Sequence, residues 1–130
     1  MTREILFRGK RLNNGEWVYG SYWYSHRSNT YQHFVFDDGN VWVGVEPDTV
    51  GQFTGLTDKN GVKIFDGDVI EYTDGCNDWL GAVKYASDDA QFVARFIGGD
   101  VESFDNLYIG DCEVIGNIYD NPELFDEGET

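Results

Sequence analysis

Asp66 with Asp68, and Asp111 with Glu113, are the carboxylates best spaced to act together. If the strands carrying them pair, the four form a cluster, and grouped carboxylates can move protons or hold magnesium. The competing reading is structural, because Asp beside Gly at a strand entrance closes turns by accepting backbone N–H bonds. Asp58-Lys59-Asn60-Gly61 opens like a calcium loop. An EF-hand needs a bidentate Glu at its twelfth position, and here that position is Val69. A tight hairpin accounts for the segment better.

Nucleophilic chemistry finds little support. The cysteines are Cys76 and Cys112, and the histidines are His26 and His33. A Cys112–His33 or Ser25–His26 pair would need a base within reach and an oxyanion hole. The chain has no Gly-rich nucleophile elbow, Walker loop, dinucleotide fingerprint or zincin motif. Two cysteines without close spacing do not make a zinc site, so no cofactor is implied. Trp17, Tyr19 and Trp23 alternate along one segment, and with Trp42 they could form an aromatic surface that stacks on bases or sugars. Rings on strands more commonly belong to a core.

The elements that must carry these residues are strands. Apolar residues recur with a period near two, and Gly, Asn and Asp interrupt them at short intervals, which predicts an all-β chain of small twisted sheets. Early strands are expected over Ile5–Arg8, Glu16–Tyr24, Tyr31–Phe36 and Val41–Val45. Later ones include Val62–Phe65, Asp68–Thr73, Leu80–Ala86, Gln91–Ile97, Val101–Ile109 and Cys112–Tyr119. Asn60-Gly61 predicts a type I′ hairpin, with the Asp58 side chain bonding the backbone two residues on. The spacing of strands from Asp66 to Tyr119 predicts an SH3-like barrel in the second half. Asn121 and Pro122 predict a short C-terminal helical turn. One domain over 1–130 is expected, with sub-modules 1–48 and 49–121 meeting near Glu46-Pro47-Asp48, and a frayed tail over 126–130.

Charge narrows the function classes. Across 130 residues the formal net charge is −15. Arg3, Arg8, Lys10 and Arg11 lie in the first eleven positions, whereas from Asp66 onward the only basic residues are Lys84 and Arg95. Such a balance argues against binding a nucleic-acid backbone, where Lys and Arg must displace condensed counterions. With no leader-like or long apolar run, the expectation is a cytoplasmic chain with reduced thiols and no membrane association.

Four segments carry a family resemblance: REILFRGK, EWVYGSY, TVGQFTGLTDKNGVKIFDGDVIEY and VIGNIYDNPEL. In this order they resemble the YopX family of bacteriophage and prophage proteins. The resemblance implies a mostly β fold and expression inside a bacterial cell, and it brings no catalytic residues with it. The expected function is a non-enzymatic interaction module that binds a host or phage protein, with self-association as a variant. One alternative is an acidic DNA mimic that inhibits a host DNA-binding protein. Another is a single-stranded nucleic-acid-binding β-barrel that uses the basic N-terminus and the aromatic stripe.

Overall fold

Period-two alternation becomes eleven strands in a computed structural model that describes residues 4–25, 33–37, 41–104 and 107–125. They are β1 (Phe7–Lys10), β2 (Trp17–Tyr24), β3 (His33–Phe36), β4 (Trp42–Gly44), β5 (Gly51–Thr57) and β6 (Lys63–Phe65), followed by β7 (Asp68–Thr73), β8 (Asp78–Ala86), β9 (Gln91–Phe96), β10 (Val101–Ser103) and β11 (Cys112–Asn117). Short 3-10 turns lie at Pro47–Thr49, Ile109–Asp111 and Pro122–Phe125. The chain divides into two units, Met1–Phe53 and Thr54–Thr130, with the division inside β5.

In the first unit the antiparallel order is β4-β3-β2-β1-β5. The register sets Val18 opposite Gly9, and Val35 opposite both Tyr22 and Val43. One face therefore gathers Val18, Val35 and Val45, all buried, with Val43 and Val50 packed against them. Gly9 is needed there, since a Cβ on it would meet the Val45 side chain at 3.0 Å. An isolated bridge joins Arg11 to Val45, so the sheet bends until the chain beyond β1 meets the chain beyond β4. Leu12 N–H donates to the Gly44 carbonyl at 3.0 Å, and Glu46 N–H donates to the Lys10 carbonyl at 2.8 Å. Pro47 starts the 3-10 turn that ends this run, and Thr49 Oγ1 fastens the turn by accepting from Lys10 N–H at 2.9 Å.

In the second unit the order is β10-β9-β8-β7-β11, again antiparallel. Ile70, Val83, Ala94, Phe96 and Cys112 form a core with Ile64 of β6. Val69 and Ala82, opposite one another, are buried on the other face, where the Pro122–Phe125 turn packs against β8. Cover on both faces explains why Val69-Ile70 is a continuous apolar pair and not an alternating one.

Two expectations change. The SH3-like barrel over Asp66–Tyr119 is not formed, because among the described residues the sheet β10-β9-β8-β7-β11 stays open. The strand expected over Val101–Ile109 stops at Ser103, which leaves β10 three residues long and, among the described residues, paired only with β9. The first strand is Phe7–Lys10, two residues later than expected. The C-terminal helical turn is present as a 3-10 turn, with Leu124 N–H donating to the Asn121 carbonyl at 3.0 Å. Tail residues 126–130 lie outside the described residues. Among the described residues, no helix is long and apolar enough to cross a membrane.

Candidate functional site

Asp58 is a carboxylate held by three backbone donors. It is 6% exposed, and its Oδ1 accepts from Asn60 N–H at 2.8 Å and Val62 N–H at 2.9 Å. Its Oδ2 accepts from Val114 N–H at 2.8 Å. Burial opposes the charge on Asp58, but the three backbone donors outweigh it and hold its pKa below the usual 3.8. Lys59 N–H also donates to the Cys112 carbonyl at 3.0 Å, so the β5–β6 hairpin tip is bonded along β11. The turn is not type I′. Gly61 has φ +82, but Asn60 has no positive φ. Gly61 N–H donates to the Asp58 carbonyl at 3.0 Å, and Asp58 N–H donates to the Val62 carbonyl at 2.8 Å. That is the three-residue hairpin ending in a left-handed glycine, favoured because the Asp58 side chain holds the turn from inside.

The other carboxylates are not brought together as a set. Asp68 is 2% exposed and stands opposite Asn117, with its Oδ2 accepting from Phe65 N–H at 2.7 Å. Glu113 stands opposite Glu71 and pairs with Lys59 Nζ at 3.6 Å. Asp111 closes the 3-10 turn before β11, and Asp66 sits in the turn between β6 and β7. Among the described residues, no group of three or more His, Cys, Asp or Glu could hold a metal ion.

The two thiols are placed differently. Cys112 is fully buried, with its Sγ 3.9 Å from the Tyr108 carbonyl. Burial, with Asp111 and Asp58 adding negative charge, pushes its pKa up to about 11. Cys76 is exposed in the β7–β8 turn. His33 Nδ1 lies 2.6 Å from Tyr22 Oη. Burial and the neighbouring Tyr24 raise the Tyr22 pKa, so the phenol keeps its proton. His26 lies outside the described residues.

The aromatic candidates share one face of the first sheet. Arg8 stands opposite Tyr19, and Lys10 opposite Trp17. Trp23 stands opposite Phe34, and Phe36 opposite Trp42. Trp23 and Trp42 are 46% and 44% exposed with ring centroids 5.4 Å apart. Phe34 stacks on Trp23 at 5.4 Å, and Phe36 tilts against Trp42 at 4.7 Å. Tyr19 is 44% exposed. Phe34 and Phe36 were missing from the sequence-derived set, although the alternation in His33-Phe34-Val35-Phe36 places both opposite the buried Val35. Trp17 differs from the others, being half-buried beneath the Arg8 guanidinium, 4.4 Å from its ring centroid, and the Lys10 ammonium at 5.6 Å.

The sequence profile described as "YopX protein" matches residues 6–126. The chain belongs to the YopX family. No curated protein matches it. Among solved structures, the crystal structure of protein EF1440 from Enterococcus faecalis is similar, with a TM-score of 0.61 and 25% sequence identity. That match covers 96% of this YopX chain and 100% of the other.

The segments that resemble YopX proteins occupy the structural joints of this chain. GQFTGLTDKNGVKIF spans β5, the Asp58 turn and β6. VIGNIYDNPEL holds the end of β11 and the following turn, where Asn117 Oδ1 accepts from Tyr119 N–H at 3.0 Å and Asp120 N–H at 2.8 Å. Asn117 N–H in turn donates to Asn121 Oδ1 at 3.3 Å. Of the basic N-terminal residues, Arg3 lies outside the described residues, whereas Arg8 and Arg11 are both occupied. Arg8 is 5% exposed against Trp17, and Arg11 Nη2 is 3.5 Å from Asp37 Oδ2.

Proposed function

We propose that this YopX-family chain is a non-enzymatic interaction module whose docking surface is the outward aromatic face of its first sheet. The observation that carries this reading is the Trp23–Trp42 pair, two touching indoles each nearly half exposed. Tryptophan supplies large contact area at low entropic cost and dominates many binding hot spots. Phe34 packs against Trp23 and Phe36 against Trp42, so the face is held in shape before a partner arrives. The partner is a protein of the bacterial host or of a phage, met in the cytoplasm, and a second copy of the chain is the variant of this reading. The net charge of −15 steers basic partners toward the molecule.

The engaged state of the polar groups supports the non-enzymatic part. Asp58 and Asp68 accept from buried backbone N–H groups, and the Cys112 thiol is held protonated. A nucleic acid is the weaker partner class, because Arg8 lies buried against Trp17 and Arg11 is paired with Asp37. The test is matched capture from bacterial lysate with the natural chain and a Trp23→Ser/Trp42→Ser variant, at low and high salt. The reading expects a defined protein retained by the natural chain and lost by the variant. Identical captured sets would refute it.

A further inference from the structure

We propose that a cleft in the second unit binds the guanidinium group of an arginine side chain presented by a partner peptide, a site separate from the aromatic face of the first sheet. The cleft has a volume of about 410 Å³ and is lined, among the described residues, by Tyr72, Trp79, Phe96, Asp100, Glu102 and Leu107. That volume falls in the range of sites that enclose small ligands. Tyr72 and Trp79 stand opposite one another on β7 and β8, with rings stacked at 5.8 Å and 28°. Phe96 tilts toward Tyr72 at 6.4 Å. Three rings thus form an apolar wall, and Trp79 remains 37% exposed.

Two carboxylates join that wall from the chain around β10. Asp100 lies in the turn whose carbonyl accepts from Phe96 N–H at 2.7 Å. Glu102 stands opposite Ala94, a fully buried core residue, so the register gives an acid a core-side position. None of the described lining residues is basic. A carboxylate set among rings departs from the apolar pattern of that face, and such departures mark sites of function. Ring faces attract cations, and a flat guanidinium can stack on Tyr72 or Trp79 while its N–H groups donate to carboxylates. A quaternary ammonium lacks those donors, and an ammonium lacks the flat face, so arginine fits best.

The test uses the full chain and two capped tripeptides, acetyl-Gly-Arg-Gly-amide and its citrulline counterpart, which has the same shape without the charge. Nuclear magnetic resonance follows the Trp79 indole N–H, assigned with Trp79→Phe. The arginine peptide should shift that signal with a Kd of about 1 mM, and Asp100→Asn/Glu102→Gln should weaken it roughly tenfold or more. Trp23→Ser/Trp42→Ser should leave this response unchanged, which separates the cleft from the first-sheet surface. An equal shift with the citrulline peptide would overturn the proposal. So would no shift at about 10 mM peptide, or an unchanged Kd in the double carboxamide variant.

Discussion

The Asp58 carboxylate accepts a hydrogen bond from Val114 N–H at 2.8 Å, across 56 positions of sequence. A single side chain therefore closes its own hairpin turn and fastens that turn to β11. Replacing it with Asn keeps one acceptor but turns the other into an amide donor facing an N–H. Asp58→Asn should cost about 3 kcal/mol, because a charged bond is lost and a backbone group is left unmatched. Urea denaturation measures this, and a loss under about 0.5 kcal/mol would contradict the assigned role.

The same carboxylate gives the protein an acid-sensitive component. Its folded pKa lies below the ordinary 3.8, so its contribution is complete above that value. The contribution is lost as pH falls through the lower folded value, since protonation removes the charge the N–H groups hold. The stability gap between the natural chain and Asp58→Asn should stay level from about pH 7 to about pH 4, then narrow. A gap that widens on acidification has the wrong sign for this account.

Gly67 has φ +96, and a Cβ there would lie 2.8 Å from the Tyr119 ring. Its N–H donates to the Val83 carbonyl at 2.8 Å, and its carbonyl accepts from Ile118 N–H at 2.9 Å, so the backbone has little room to shift. Gly67→Ala should destabilise by about 2 kcal/mol through strain and crowding together. Adding Tyr119→Ala should relieve the crowding and leave the strain, a partial recovery that a double-mutant cycle detects. Additive losses would show that the ring is not the obstacle.

Much of this arrangement was legible in the sequence, and the reasons for the remainder are specific. The Asp58 side-chain turn is local, since an Asp bonds a backbone N–H two residues on wherever the chain reverses. Its bond to Val114 depends on where β11 lies, which no local pattern encodes. Trp23 and Trp42 were legible as rings at alternating positions, but their contact runs through Phe34 and Phe36, set by the pairing of β2, β3 and β4. Arg8 read as part of a basic N-terminal cluster, and its burial against Trp17 is set by the β1–β2 pairing. The barrel expectation rested on strand spacing alone, and spacing does not fix whether edge strands meet. The carboxylates Asp68 and Glu113 lie on paired strands, yet the register sets Asn117 and Glu71 opposite them.

The two cysteines should differ sharply in reactivity. Cys76 is exposed, whereas Cys112 is fully buried with a pKa of about 11. A chromogenic disulfide reagent near neutral pH should titrate one thiol quickly and the second only on unfolding. Two thiols reacting at the same rate would mean that β11 does not bury Cys112.

The central claim, that Trp23 and Trp42 form a docking surface, is tested most directly by placing a photo-crosslinking side chain at position 42 in living bacteria. A matched chain carries it at Asn14, in an exposed turn of the same unit. Illumination should give a discrete adduct from position 42 that is absent from position 14. Adducts of the same mass and yield from both positions, or none from position 42, would contradict the claim.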